Sequence, residues 1–194
     1  MDFFEVTRRA HRRAGTTISG VGADDWDRST PCAEWTVRDL VHHLIDNNEQ
    51  YAAQAAGRPR NTRTTTDGDL AKAHEESSAE FLTAFDTSAL AKIFDFGNFG
   101  PLPGANVLAV LFVDTLVHGW DLDAALGREH HWDDELATAA LAVASRYPDV
   151  TPVRGPGGAF GHAVEAPPDA GPGERLIALL GRSAPPTVPP IGPA

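Results

Sequence analysis

Apolar residues recur at three- and four-residue spacing along four long segments of the 194-residue chain, which is the spacing of a buried helix face. Two shorter segments show the same spacing, and no stretch alternates apolar and polar residues for long enough to predict a sheet. The pattern predicts an all-α fold, in which four long helices form a bundle and a short helix is added. The predicted helices are 2–20, 36–56, 69–86, 104–126, 134–146 and 173–182.

The composition changes after Pro148, where glycine and proline become frequent. We expect one helical domain over residues 1–148, since a chain of this length supports a single sizeable core. Residues 149–194 are expected to form a Gly/Pro-rich C-terminal extension that packs on the bundle. Its last part, "SAPPTVPPIGPA", predicts a flexible tail from about residue 183. A further Gly/Pro-rich stretch, "FGNFGPLPG" at residues 96–104, predicts a loop.

The chain carries 16 basic and 27 acidic residues, so its formal net charge is −11 at pH 7. This charge argues against nucleic acid or an anionic membrane surface as a partner. No run approaches the roughly 18 apolar residues that span a bilayer, and the N-terminus lacks the pattern of a signal peptide. A single cysteine, Cys32, excludes a disulfide within the chain, and we expect a cytoplasmic protein. No segment indicates a subunit interface, so a monomer and a homodimer both stay open.

The stretch "DTLVHGWDLD", residues 114–123, places Asp114 four residues before His118 on the fourth predicted helix. Residues at this spacing share a helix face, with Cβ atoms roughly 5–6 Å apart. Val107 and Leu111 lie on the same face, so the pair is expected to point into the bundle. Spacing alone permits two interpretations, a hydrogen-bonded buried pair or half of a metal site. Asp121, seven residues after Asp114, could hold the ring N–H of a ligand histidine.

A metal site needs a further ligand, and "DLVHHLIDNN" at residues 39–48 supplies His42 and His43 on the second predicted helix. A helix advances 100° per residue, which puts both histidines about 130° from the centre of the apolar face, one on each flank. Periodicity therefore leaves the choice between them open.

Other reactive side chains have simpler interpretations. His74, in "HEESS", is expected on an exposed helix face, and His130 and His131, in "REHHW", are expected in a solvent-exposed loop. Cys32 is expected to be a buried structural cysteine.

Two motifs carry a resemblance to a known family. The first is "TPCAEWTVRDLVHHL", with Thr30, Pro31, Cys32, Trp35, Asp39, Leu40, His43 and Leu44. The second consists of Asp114, His118, Trp120, Asp121 and Leu122. Together they resemble the DinB-like, mycothiol-dependent maleylpyruvate isomerase N-terminal family of actinobacterial metal-binding proteins. The terminal "FGHAVEAPPDAGPGERLIALLGR" is similar to the short C-terminal extension of one branch of that family.

The resemblance implies a DinB-like four-helix bundle that binds a divalent metal, zinc or nickel, through His43, Asp114 and His118. It also selects His43 over His42. The family usually has glutamate at the position of Asp114, and aspartate reaches less far because it is one methylene shorter. Two imidazoles and one carboxylate leave coordination positions open, as in catalytic zinc sites.

The implied function is a transferase or isomerase that uses mycothiol, or another low-molecular-weight thiol, as co-substrate against a small electrophile. The isomerase of this family carries a larger second domain than the segment that follows the helices here. Two alternatives stay open. One is a non-catalytic module that binds metal or a small molecule, and the other is a metal-free enzyme of a biosynthetic pathway in which Asp114 and His118 act as an acid–base pair.

Overall fold

The computed structural model describes residues 2–60 and 69–183, and these residues are predominantly helical, as the periodicity predicts. The expected flexible tail from about residue 183 lies almost wholly outside the described residues. Within them, every predicted helix is present, with ends within a few residues of those predicted. The helices are α1 (Phe3–Ser19), α2 (Val37–Ala55), α3 (Leu70–Ala84), α4 (Gly104–Ala125), α5 (Asp134–Ala144) and α6 (Pro172–Leu179).

The start of α2 is set by a capping box that the sequence "TVRD" predicts. The Asp39 backbone N–H donates to Thr36 Oγ1 over 3.2 Å, and the Thr36 backbone N–H donates to Asp39 Oδ2 over 2.9 Å. These two bonds satisfy backbone donors that the first turn of a helix leaves without partners. The cap therefore fixes where α2 begins, and with it the rotation at which His43 meets the rest of the protein.

Helix α4 lies at the centre of the structure and packs against α1, α2 and α5. Its side chains at Phe112, Val113, Val117 and Leu122 are fully buried. By length and composition α4 is apolar enough to cross a membrane, but 72% of its most apolar window is buried inside the protein. That burial is the pattern of a core helix. Helix α3 completes the packing by contacting both α1 and α2.

The stretch before α4 differs from the predicted loop. It contains a short antiparallel hairpin, β1 (Ile93–Asp95) and β2 (Pro101–Pro103), in which Phe94 pairs with Leu102. Gly97 and Gly100, with φ of 60° and 76°, allow the turn, because side chains disfavour that backbone conformation. Each strand has three residues, too few to give an alternation that sequence periodicity detects.

The segment that follows Pro148 contributes to the core. Phe160, Leu176 and Leu180 pack in one apolar cluster with Phe112 and Val113 of α4. The buried guanidinium of Arg154 donates to the Leu179 carbonyl near the end of α6, and α6 packs against α5. These contacts bring the end of α6, and the residues after it, close to α4.

Candidate metal centre

One face of α4 carries the polar side chains of the site. Asp114 and His118, one turn apart, approach each other with 3.3 Å between Asp114 Oδ1 and His118 Nε2. Asp121, a further turn along, accepts a hydrogen bond of 2.9 Å from His118 Nδ1. The His118 side chain is 7% exposed and that of Asp121 is 0% exposed, so the chain of three groups is shielded from bulk water. The i, i+4 spacing thus has the geometric consequence that the sequence predicts.

Helix α2 supplies the facing side chains. His43 Nε2 lies 3.1 Å from Asp114 Oδ2, whereas His42 lines the surface cleft beside His43. The structure therefore brings His43 to Asp114 and His118, a choice that periodicity left open. Asn47, one turn after His43, donates to Asp114 Oδ2 over 3.1 Å. Sequence reasoning missed Asn47, although its i+4 spacing from His43 was a signal.

The separations among these groups fit a divalent ion. Ligand atoms of His43, Asp114 and His118 all lie within 4.8 Å of one another. Bonds of about 2.0–2.1 Å in tetrahedral geometry place neighbouring ligand atoms roughly 3.3 Å apart. Nε2 of His43 lies 3.1 Å from Asp114 Oδ2 and Nε2 of His118 lies 3.3 Å from Asp114 Oδ1, so each imidazole approaches a different oxygen of the carboxylate. The aspartate therefore reaches both imidazoles despite being shorter than glutamate.

The hydrogen bond to Asp121 bears on this fit because it occupies the Nδ1 side of the His118 ring. Nε2, the nitrogen that faces Asp114, is then the atom available to a metal. A carboxylate in this position also increases the basicity of the imidazole. The residues present thus form a donor set that could hold a divalent ion, to which His43 and His118 would contribute nitrogen and Asp114 oxygen.

The charges of Asp114, His43 and His118 strongly affect one another. Burial by itself raises the pKa of Asp114, but the imidazoles of His118 and His43 lower it more, and that pKa lies well below 3.8. Burial likewise lowers the pKa of His118, but Asp114 and the hydrogen bonds to Asp121 and Cys32 raise it well above 6.5. Both neighbouring carboxylates therefore favour the protonated form of His118. A cation at Asp114 would take the place of that proton.

A tight loop before α2 places two further side chains at the site. The Thr30 hydroxyl accepts from the Cys32 backbone N–H over 3.1 Å and lies 3.0 Å from the Trp35 carbonyl. The ring of Trp35 then lies over both imidazoles, with centroids 4.8 Å from His43 and 5.9 Å from His118. The indole therefore limits the movement of both rings.

Cys32 is half-buried rather than fully buried as expected, and its thiol borders the site. Its Sγ is 3.3 Å from Asp121 Oδ2 and 3.8 Å from His118 Nδ1. Cys32, His118 and Asp121 form a second group whose ligand atoms are close enough for a metal. That group uses the Nδ1 side of His118, so it and the group around Asp114 share one imidazole.

The site opens to the surface on the His43 side. The His43 side chain is 29% exposed, compared with 7% for His118. A shallow cleft of about 560 Å³ lies there, lined by Glu34, Trp35, Asp39, His42, His43 and Asp46. A small molecule can therefore approach His43 from solvent, while Asp114, His118 and Asp121 lie deeper in the protein.

Comparison with known proteins agrees with this picture. The family described as "Mycothiol maleylpyruvate isomerase N-terminal domain" matches residues 7–123, which is more than half of the chain. The chain belongs to this family. The resemblance carried by the two sequence motifs is thereby confirmed.

Two mycobacterial proteins are similar over nearly the whole chain. The uncharacterized protein MT0763 of Mycobacterium tuberculosis (strain CDC 1551 / Oshkosh) is 35% identical over 188 residues, covering 94% of this chain and 99% of the relative. The uncharacterized protein Rv0738 of strain ATCC 25618 / H37Rv is similar to the same extent. The similarity to these relatives therefore continues well past residue 123, where the match to the mycothiol maleylpyruvate isomerase N-terminal domain family ends.

One residue of the site lies outside that family match. Arg182, just after α6, donates from Nε and Nη2 to the two carboxylate oxygens of Asp121 over 2.9 and 2.7 Å. Its Nη2 also donates to Cys32 Sγ over 3.3 Å. Burial raises the pKa of Asp121, but the hydrogen bonds from Arg182 and His118 lower it to about 2. Sequence reasoning missed Arg182, because nothing in a Gly/Pro-rich segment indicates a partner 61 residues away.

Two expectations about other histidines were wrong. His74 is 1% exposed, and it lies in a buried polar cluster with His11 and Ser78 rather than on an exposed face. The His130 side chain is 7% exposed, and its Nδ1 donates to Asp123 Oδ2 over 2.7 Å. Ser78 lies four residues from His74 on α3, and Asp123 lies seven residues before His130, so each histidine has a polar partner nearby in sequence.

Proposed function

We propose that this protein binds one divalent metal ion, zinc or nickel, at His43, Asp114 and His118. The observation that supports the proposal is the convergence of two imidazoles on one carboxylate, where one ligand atom from each of the three residues lies within 4.8 Å of the others. We also infer that α1–α4 form the DinB-like four-helix bundle of residues 1–148, with residues 149–194 as an extension. The contacts of α1 with α4, and of α2 with α3, support that arrangement.

The proposed activity is transfer or isomerisation of a small electrophile with mycothiol, or a related low-molecular-weight thiol, as co-substrate. A divalent ion bound here would lower the pKa of a coordinated thiol, so that a thiolate is available to attack at neutral pH. The family name and the solvent-facing side of His43 support a thiol that enters from the cleft. Such a role fits a cytoplasmic location.

The chain's own residues have separate tasks in this proposal. Asp121 holds the Nδ1 side of His118, so that Nε2 faces the reaction centre. Asn47 donates to Asp114 and orients its carboxylate. Trp35 covers both imidazoles and excludes water from one side of the site.

The charge of the cleft narrows the class of electrophile. Its lining includes the carboxylates of Glu34, Asp39 and Asp46, and none of the lining residues is a lysine or an arginine. A dianionic substrate would be repelled as it approached, whereas a neutral or cationic electrophile would not. We therefore propose a neutral or cationic substrate.

Metal analysis of protein purified without a histidine tag tests the metal site. We expect about one zinc or nickel ion per chain in the wild type, as in other sites of this ligand type. The variants His118→Ala and Asp114→Asn should lose the ion, and the matched control His42→Ala should retain it. If the wild type contains no stoichiometric ion and takes up neither metal on addition, the proposal is wrong.

Thermal-shift measurements on metal-loaded protein test whether a low-molecular-weight thiol binds, and which one. Mycothiol, bacillithiol and glutathione are compared at equal concentration, and binding at 100 times Kd should stabilise the fold by about 2.7 kcal/mol. For a chain of this size that corresponds to roughly 5–10 °C in Tm. Retained metal with no response to any thiol would favour a non-catalytic binding module.

A metal-free acid–base function is a second candidate, because each nitrogen of His118 faces a carboxylate without any metal. In that case Asp114 would hold a proton on His118 for transfer to a substrate. Chelator-treated protein with full activity toward an electrophile would favour this candidate, whereas loss of activity that zinc or nickel restores would exclude it.

A further inference from the structure

Two groups of side chains could compete for one metal ion, because both include His118. They are the Asp114 group (His43, Asp114 and His118) and the Cys32 group (Cys32, His118 and Asp121). The Asp114 group uses Nε2 of the shared ring, and the Cys32 group uses Nδ1. An ion on Nδ1 would replace the hydrogen bond from His118 to Asp121, which turns Nε2 towards Asp114. Binding in one group therefore disturbs the other.

The guanidinium of Arg182 lies within the Cys32 group. Its Nη2 donates to Asp121 Oδ2 over 2.7 Å and to Cys32 Sγ over 3.3 Å, and these oxygen and sulfur atoms are the ones that an ion in this group would bind. Its Nε donates to the second carboxylate oxygen, Asp121 Oδ1, over 2.9 Å. One cation therefore already contacts both the oxygen donor and the sulfur donor of the Cys32 group.

A divalent ion in the Cys32 group would lie close to the positive charge of Arg182. Metal–oxygen bonds in such sites are about 2.0–2.2 Å long, and Nη2 is 2.7 Å from Asp121 Oδ2, so the ion would lie within roughly 5 Å of Nη2. The Arg182 side chain is 8% exposed, so little water screens the repulsion. An arginine also does not lose its proton in a protein. The guanidinium therefore disfavours metal in this group.

The positions of the two groups connect this selection to the proposed function. His43 of the Asp114 group lines the surface cleft, whereas the residues that line the cleft include no member of the Cys32 group. The side chains of His118 and Asp121 are 7% and 0% exposed. An ion in the Asp114 group would lie beside the side chain that faces the cleft. An ion in the Cys32 group would lie deeper, away from a thiol that enters through the cleft.

We propose that Arg182 determines which side of His118 binds metal, because its guanidinium takes the cation position of the Cys32 group and leaves the Asp114 group to the ion. The inference rests on the proposed metal site, and the experiment below distinguishes failure of the one from failure of the other. Arg182 is a positioning residue, since it acts through Asp121 and Cys32. It lies beyond residues 7–123, which match the family, so the C-terminal extension supplies the selection.

Cobalt(II) titration followed by absorption spectroscopy tests the proposal on the untagged full chain. Thiolate, imidazole and carboxylate all bind first-row divalent metals, but only a cobalt–thiolate bond gives an intense sulfur-to-cobalt charge-transfer band in the near ultraviolet. The wild type with equimolar cobalt should show the visible d–d bands of bound cobalt without the sulfur band. Arg182→Met should gain the sulfur band, because the Cys32 thiol can then release its proton to solvent and bind the ion.

Further variants separate charge, sulfur and fold. Cys32→Ser combined with Arg182→Met should lose the sulfur band, since Cys32 is the single cysteine of the chain. Arg182→Lys keeps the positive charge and should show no sulfur band. The matched control Arg175→Met removes an exposed arginine from α6 and should behave as the wild type does. If circular dichroism shows that Arg182→Met does not fold, Arg182→Gln replaces it, because the neutral amide can still donate to Asp121.

The outcomes distinguish the role of Arg182 from the proposed metal site. The role of Arg182 is overturned if the wild type shows the sulfur band, or if the folded neutral variant shows none. Cobalt d–d bands in both proteins with no sulfur band would support the metal site and overturn the role of Arg182. A sulfur band in Arg182→Met, with no cobalt bound by the wild type, would support the exclusion of metal by Arg182 and refute the site at Asp114.

Discussion

Replacement of Arg182 by methionine should destabilise the protein through Asp121, because it leaves that carboxylate buried without its main partner. Methionine keeps the length and apolar stem of the side chain and removes both hydrogen bonds from the guanidinium to Asp121, together with those to Cys32 Sγ and the Leu180 carbonyl. Asp121 is 0% exposed, so water cannot take the place of Arg182. His118 remains hydrogen-bonded to Asp121 and compensates in part.

The pKa of Asp121 and the burial of the Asp121–Arg182 ion pair indicate how much stability the variant should lose. A pKa lowered from 3.8 to about 2 represents about 2 kcal/mol of stabilisation at neutral pH. That stabilisation is present above pH 3.8 and is lost as the pH falls towards 2. Removing one partner of a buried ion pair typically costs about 3–5 kcal/mol. Because the contact between Asp121 and His118 is retained, we expect the free energy of unfolding to fall by about 3 kcal/mol, which corresponds to a Tm lower by roughly 6–12 °C.

Urea denaturation of metal-free protein at neutral pH measures this loss. The matched control is Arg175→Met, which removes an exposed arginine from α6 and should change the free energy of unfolding by less than about 0.5 kcal/mol. Asp121→Asn completes a double-mutant cycle, in which the double variant should be more stable than the sum of the single losses predicts. A coupling of at least about 2 kcal/mol is expected.

The same variant should also bind metal more weakly. Loss of an outer partner of a ligand histidine typically lowers metal affinity 10- to 100-fold, and Arg182 fixes the carboxylate that holds His118. The reasoning would be refuted if Arg182→Met and Asp121→Asn lowered the free energy of unfolding additively. It would also be refuted if Arg182→Met lowered it no more than Arg175→Met does. The guanidinium would then contribute nothing specific to Asp121.

Two further predictions concern stability. Burial lowers the pKa of His11, with a smaller contribution from His74, to about 3, and burial lowers that of His74 to about 4. Because both values lie below 6.5, the unfolded chain binds more protons, and stability should fall as the pH drops from 6.5 towards 4, by about 1.4 kcal/mol per histidine and pH unit. Urea titrations at several pH values measure this slope, which His74→Gln should roughly halve; an equal slope in the variant would contradict the assignment. Gly104→Ala should cost more than about 3 kcal/mol, because the added Cβ would lie 2.0 Å from the Ala89 carbonyl oxygen. Its Tm should fall well below that of Gly119→Ala on the same helix, and equal Tm values would show that the backbone at Gly104 can move.

The helices could be predicted from sequence because their signals are local. Apolar spacing marks the buried face of each helix, and the Thr36–Asp39 capping box marks the start of α2 within a few residues. The hairpin was missed for the same reason, since its strands are too short to show a period. Its position depends on contacts with α4 and α2 that lie outside the segment itself.

Burial of the isolated polar residues could not be predicted. His74 and His130 lie in polar segments that are typical of exposed positions, but both side chains are buried in the folded protein. His11 and Ser78 come from two helices to surround His74, and Asp123 meets His130 across the turn after α4. A polar residue carries no local mark that separates a satisfied interior position from a solvated one.

The candidate metal centre likewise combines features that the local sequence determines with features that depend on tertiary packing. The sequence alone determined that Asp114, His118 and Asp121 share one face of a helix, because 3.6 residues make one turn. Periodicity left His42 and His43 on equivalent flanks and the family resemblance selected His43, but only the tertiary structure brings His43 to that face, through the angle at which α2 packs on α4. It alone placed Arg182 on Asp121, because residues 61 apart in sequence meet only when the extension folds back over α4.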